Sequence, residues 1–140
     1  MTTALLLTGH GLFSQGLYSS LKMVMGVNEN IKYQNFIEGE SSENLKKNLK
    51  NLIADLLKTN DRLICLTDIK GGTPFRLCCE LAIENPKISV VSGANMPLLF
   101  QLTELMEEDF NLEDTINESL KDIFLFKYVA RKEVEEIDGI

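Results

Sequence analysis

The chain has one histidine, three cysteines, three prolines and no tryptophan in 140 residues, and each scarcity closes off a class of chemistry. One imidazole and no Cys-x-x-Cys pair leave no convincing zinc site, so no metal and no cofactor is expected. The three cysteines, Cys65, Cys78 and Cys79, are odd in number and lie in apolar segments. That usage fits buried thiols in a reducing cytoplasm better than a disulfide framework. Basic residues are also short: 14 Lys and Arg stand against 21 Asp and Glu, for a net charge of −7 and a pI near 4.7. Phosphate backbones and anionic membranes bind through clustered Lys and Arg, so neither nucleic acid nor a lipid surface is an expected partner. No apolar run approaches the roughly 18 residues of a membrane span, and no basic stretch precedes the first one. A soluble cytoplasmic protein is the expectation.

With 44% hydrophobic residues, a chain of this length can bury about two-thirds of its unfolded surface in a single domain. No repeat, low-complexity segment or linker divides it. Its apolar pattern alternates between short continuous runs and longer helical stripes. Ala4 to Leu7 reads as a strand, followed by a helix carrying Phe13, Leu17, Leu21 and Val24 on one face and stopping at Gly26. A second strand lies in "IKYQNF", residues 31 to 36, where the alternation breaks at Asn35 and Phe36. After Ser42 a helix follows, its stripe made of Leu45, Leu49, Leu52, Ile53 and Leu56. "RLICLT", residues 62 to 67, is the clearest buried strand, and Asp68 stands at its end. A third helix opens at Pro74 with Thr73 placed to cap it; "ISVVS", "GAN" and "MPLLFQLTELMEE" then make a fourth strand, loop and helix.

Four strand-loop-helix units in succession predict an α/β three-layer sandwich, a mostly parallel sheet of four strands with helices on both faces. A short helix near residues 112 to 121 leads into "DIFLFKYVA", which puts Ile123, Leu125 and Val129 on one face and Phe124, Phe126 and Tyr128 on the other. A strand apolar on both faces needs cover on both, from the edge of the sheet or from another subunit. The domain therefore spans residues 1–130, and residues 131–140 form a charged tail. Met23, Met25, Cys78 and Cys79 read as core, and Gly16 inside the first helix as a point of close packing.

Ligands of an open parallel sheet bind beyond the carboxyl ends of its strands. There the first loop offers His10 between Gly9 and Gly11, the third offers Asp68, Gly71, Gly72 and Thr73, and the fourth offers Gly93 and Asn95. Glycines let backbone N–H groups approach a ligand, and helix N-termini favour an anion. One imidazole nitrogen can act as a nucleophile while the other donates to a carboxylate, for which Asp68 is the candidate. The amides of Gly71, Gly72 and Thr73 could then stabilise the oxygens of a phosphoryl group passing through His10. Each signal taken singly has a plain structural explanation as a cap, turn or surface residue. Their placement at three strand ends on one edge is what points to a site.

The segments "LLLTGHGLFSQGLYSSLKMVMG", "FIEGESSENL", "LTDIKGGTPF" and "VVSGANMPLL" together resemble the enzyme IIA domain of the mannose family of the sugar phosphotransferase system, in order from about Met1 to Val129. The resemblance implies a C-terminal strand exchanged within a homodimer. It also implies that His10 takes a phosphoryl group from the phosphohistidine of the carrier HPr and passes it to a IIB component, serving the membrane sugar permease components indirectly. By the same resemblance Asp68 is the carboxylate bonded to the histidine, Gly71, Gly72 and Thr73 form the phosphate loop, and Asn95 lies close by. Two positions depart from the pattern: Lys70, where relatives are often apolar or aromatic, and Arg76, where Asn is common. Both add positive charge beside the site, where they would tune partner recognition or phosphate binding.

Three competing readings use the same residues. The phosphodonor domain of dihydroxyacetone kinase systems is similar, but typically differs after the histidine and continues into further domains. A flavodoxin-like module would bind a phospho-ligand at this edge without being phosphorylated. A histidine phosphatase, suggested by "GHG", needs a second histidine that the chain lacks.

Overall fold

In the computed structural model, residues 1–130 are described. Four apolar runs form strands of one sheet: β1 (Thr3–His10), β2 (Ile31–Phe36), β3 (Arg62–Thr67) and β4 (Ile88–Val91). All are parallel, in the order β2-β1-β3-β4. Five helices accompany them: α1 (Phe13–Met25), α2 (Ser42–Leu56), α3 (Thr73–Glu84), α4 (Met96–Leu105) and α5 (Leu112–Leu120).

The middles of the two central strands, Ala4–Leu7 and Leu63–Leu66, are apolar without interruption because helices cover both of their faces. Ala4, Leu6, Leu63 and Cys65 pack against Leu45, Leu49 and Ile53 of α2 and Leu77, Cys78 and Leu81 of α3. Their sequence neighbours Leu5, Leu7, Ile64 and Leu66 face the opposite way, onto Leu21 of α1 and Leu98, Leu99 and Leu102 of α4. The period-2 alternation of a strand thus sorts one apolar run into two separate cores. Side-chain caps start three helices: Ser41 Oγ accepts from the Asn44 amide, Asn95 Oδ1 from Leu98 and Asn111 Oδ1 from Asp114.

From β1 the chain winds to β2 on one side and then crosses back to β3 on the other. The strand order therefore reverses between β1 and β3, which makes the carboxyl edge of these two strands the switch point of the sheet, where ligands of such folds bind.

Several expectations need correction. Met23 and Met25 are surface residues, Met23 being 90% exposed, and Val24 is exposed with them. They occupy the last turn of α1, where only Leu21 still reaches the core. Cys79 is half-buried, whereas Cys78 is fully inside. A Cβ at Gly16 would meet nothing within 4 Å, so that glycine marks no close packing. Residues 123–129 pair with no strand among the described residues and stay exposed, so they do not join the edge of the sheet there. The sheet has the expected four strands among the described residues, and the tail expected from Arg131 lies outside them.

Candidate active site

The parallel register of β1 and β3 sets Thr8 opposite Thr67, so the next residues of both strands emerge together at the switch point. Gly9 makes room for them. A Cβ on Gly9 would stand 2.9 Å from Asp68 Cγ and 2.6 Å from Phe13 Cδ1.

Asp68 uses both carboxylate oxygens. Oδ2 accepts from the His10 backbone N–H at 2.8 Å and lies 2.9 Å from His10 Nδ1, while Oδ1 accepts from the Ile69 amide at 2.9 Å. Burial pushes this carboxyl upward, but the bonds from His10 and Ile69 outweigh it and hold Asp68 below its ordinary value of 3.8. An ionised carboxylate only accepts, so Nδ1 carries the proton in the pair, and in the neutral ring Nε2 keeps its lone pair. The Asp68 side chain is 10% exposed and that of His10 45%, which leaves the imidazole open to a partner.

Two further groups confine the ring. A Cβ on Gly72 would lie 2.8 Å from His10 Cε1 and 3.7 Å from Nε2, so only glycine lets the third loop approach this closely. That loop turns through Gly71, whose φ of +84° is left-handed, and closes with a Gly72 N–H bond to the Ile69 carbonyl at 3.1 Å. Phe36, the last residue of β2, lies directly opposite His10 in the register, and the two rings meet edge to face with centroids 5.9 Å apart. The Phe36 carbonyl also accepts from Gly11 at 2.7 Å, and Asn35 bonds to Ser14 and Gln15 at the start of α1. The first loop is thereby pinned to β2. Beside the ring a cleft of about 380 Å³ opens between Phe36, Ile37, Glu38 and Glu40.

The N-terminus of α3 is capped by backbone alone. Gly72 occupies the cap position, and Thr73, expected to cap, is instead the first helical residue; among the described residues no side chain caps this turn. Its N–H groups and the helix dipole are available to an anion next to Nε2.

The remaining sequence candidates fall around this centre. Asn95 spends its side-chain oxygen on capping α4. The fourth loop is tied to the third by backbone bonds, Gly93 N–H to the Asp68 carbonyl and Ala94 N–H to the Thr67 carbonyl, both 3.0 Å. Lys70 is exposed on the third loop. Arg76 donates to Glu80 at 3.0 Å, and Glu80 also accepts from Lys46 at 3.0 Å, so the charge of Arg76 is already paired. Those two partners, Lys46 first, hold Glu80 below the usual glutamate range. Among the described residues no group of three or more His, Cys, Asp or Glu side chains could hold a metal ion. Sequence reasoning passed over Phe36; the break in the β2 alternation was the only trace of it.

Fold and site together define a doubly wound α/β protein that presents a carboxylate-bound imidazole to an open helix N-terminus. The family model described as "PTS system fructose IIA component" matches residues 4–120. The chain belongs to this family, the mannose-type EIIA components of the sugar phosphotransferase system. It is 26% identical over 116 residues to the mannose-specific EIIAB component of Escherichia coli, covering 83% of this chain and 36% of that one. The chain thus spans about a third of the length of that relative. It is 28% identical over 114 residues to the fructose-specific EIIA component of Bacillus subtilis, covering 81% of this chain and 77% of that one. Among solved structures, the PTS IIA protein associated with the fucose utilization operon of Streptococcus pneumoniae superposes with a TM-score of 0.85 at 25% identity. That superposition covers 89% of this chain and 93% of the other.

Proposed function

We propose that the protein is a phosphocarrier of sugar uptake that accepts a phosphoryl group on His10 from phospho-HPr and passes it to a IIB component. The observation that carries this reading is the division of labour on one imidazole. Nδ1 is held by Asp68 at 2.9 Å, while the Cε1–Nε2 edge of the ring lies beside the Gly72 turn at the start of α3. In the transfer, the Nε2 lone pair attacks phosphorus as the P–N bond to the donor histidine breaks. No proton has to leave Nε2. The ring gains positive charge as the new bond forms, and Asp68, keeping the Nδ1 proton between them, offsets it. The Thr73 amide and the dipole of α3 supply the electrostatic partner for the phosphoryl oxygens, while the Gly72 N–H, donated to the Ile69 carbonyl, shapes the turn that brings them there. Gly9, Gly11 and Gly71 serve by letting the loops close around the ring, and Asn95 by starting α4 beneath the fourth loop.

Residues 1–130 form the phosphocarrier domain and 131–140 its tail. No helix among the described residues is long and apolar enough to cross a membrane, which is consistent with a cytoplasmic carrier serving membrane permease components. The exposed apolar segment 123–129 fits a strand given to a second copy, making the working form a homodimer. The test is intact mass after incubation with phosphoenolpyruvate, enzyme I and HPr, run beside His10→Ala. One acid-labile phosphoryl group on the wild type and none on the variant is the expected result. An uncharged wild type, with HPr shown to be phosphorylated, overturns the reading and leaves a binding module.

A further inference from the structure

We propose that Phe36 is a positioning residue for His10, fixing the plane of the imidazole so that Nε2 stays aimed at the Gly72 turn. The inference rests on the phosphocarrier reading for its catalytic consequence, but its geometry stands independently. Asp68 grips a single ring atom, Nδ1. A ring held at one atom can still swing about that contact, and His10 is nearly half exposed, so solvent offers no resistance. Gly72 bounds the swing at Cε1, on one edge. Phe36 supplies the missing wall. It is directly opposite His10 in the parallel register, and its ring meets the imidazole at an interplanar angle of 62° with centroids 5.9 Å apart. Edge-to-face contacts at that separation are attractive and orientation-dependent, unlike an aliphatic contact of the same area.

Phe36 is itself well anchored. Its side chain packs against the core cluster of α2 and α3, and its carbonyl takes the Gly11 amide at 2.7 Å. The same residue therefore fixes the backbone just after His10 and the ring of His10. A hydrophobic replacement keeps the backbone bond and most of the packing but loses the planar wall, which separates positioning from stability. Nothing in the pairing uses a proton or a charge of Phe36, so its effect should appear in the turnover of bound complexes and leave recognition of the donor unchanged.

Because the chain has one histidine, its imidazole nitrogens give unambiguous signals in long-range proton–nitrogen spectra of the untagged protein. The experiment compares wild type, Phe36→Leu and Phe36→Tyr by those spectra, by thermal melting and by single-turnover transfer from phospho-HPr. The expected result for Phe36→Leu is a folded protein whose imidazole shows weaker or averaged Nδ1–H character, with a transfer rate down about tenfold and a KM for donor within twofold. Phe36→Tyr restores the spectrum and most of the rate. An imidazole spectrum in Phe36→Leu identical to wild type overturns the proposal, whether or not transfer occurs. So does a rate loss that Phe36→Tyr fails to recover while remaining folded. A wild type that accepts no phosphoryl group refutes the phosphocarrier reading instead, and the spectra still decide the role of Phe36.

Discussion

Replacing Asp68 with Asn removes the charge while nearly preserving shape, and the geometry dictates two separate losses. Both oxygens of Asp68 accept hydrogen bonds, Oδ2 from two donors on His10 and Oδ1 from Ile69. An amide has one acceptor end. With its oxygen towards His10, its NH2 group faces the Ile69 N–H; turned round, it faces the His10 backbone N–H. Either orientation sets donor against donor, at a cost of about 1–3 kcal/mol in stability. The second loss is kinetic. Hydrogen bonds to charged groups contribute about 1.5–3 kcal/mol, and the carboxylate is needed most when the ring is cationic, so the transfer barrier should rise by about 2–3 kcal/mol. That is a rate loss of roughly 30- to 150-fold. Single-turnover transfer from phospho-HPr, followed by intact mass, measures it, with melting curves for the first loss. An Asp68→Asn protein that transfers within threefold of wild type would refute the assignment of Asp68 as the partner of the charged ring.

The other expectations address neighbouring parts of the site. Asp68 is held below 3.8, so its contribution to stability is present above that pH and is lost as the pH falls through its lower folded value; acid melts of Asp68→Asn should lack this component. Gly72→Ala should slow transfer at least tenfold with only a small change in melting temperature, because φ −73° and ψ 167° suit any residue while the new Cβ meets His10 Cε1. A rate equal to wild type would mean that the loop yields freely. Asn95→Ala should cost about 1 kcal/mol by chemical denaturation through loss of the α4 cap, and a variant as stable as wild type would show that the cap contributes nothing. The reversal Arg76→Glu loses an exposed i,i+4 pair with Glu80 and sets like charges there instead, a total of at most about 1 kcal/mol, so the protein should stay folded. Unchanged rates from donor and to acceptor would eliminate Arg76 from partner recognition.

The fold was legible wherever burial was complete. The runs Ala4–Leu7 and Leu63–Leu66 are apolar throughout because they lie between two helical layers, and that composition can be read without a partner strand. His10 and Asp68 could be brought together from strand-end position alone, since in a doubly wound sheet the carboxyl ends of neighbouring strands share one edge. Phe36 could not. Its meeting with His10 depends on the register of β1 with β2, which no local pattern encodes. The misplacement of Met23, Met25 and Val24 has the opposite cause: their apolar character suggested burial, yet the last turn of α1 carries them onto the surface. Thr73 differs by one position because the cap role passed to Gly72, whose missing side chain the imidazole requires. For residues 122–130, two-sided apolarity announces a need for cover without naming its source.

One oxygen of Asp68 binds the backbone and the side chain of the same residue, His10. The two bonds close a small chelate ring, so the carboxylate cannot turn without breaking its hold on the strand, and the imidazole it holds at Nδ1 is bounded on its other sides by Gly72 and Phe36. A centre assembled in this way has little to rearrange when it is loaded. On the phosphocarrier reading, the charged and discharged forms should therefore be almost superimposable, and a partner would tell them apart by the phosphoryl group itself. The chain would signal its state by what it carries, with no change of shape to transmit.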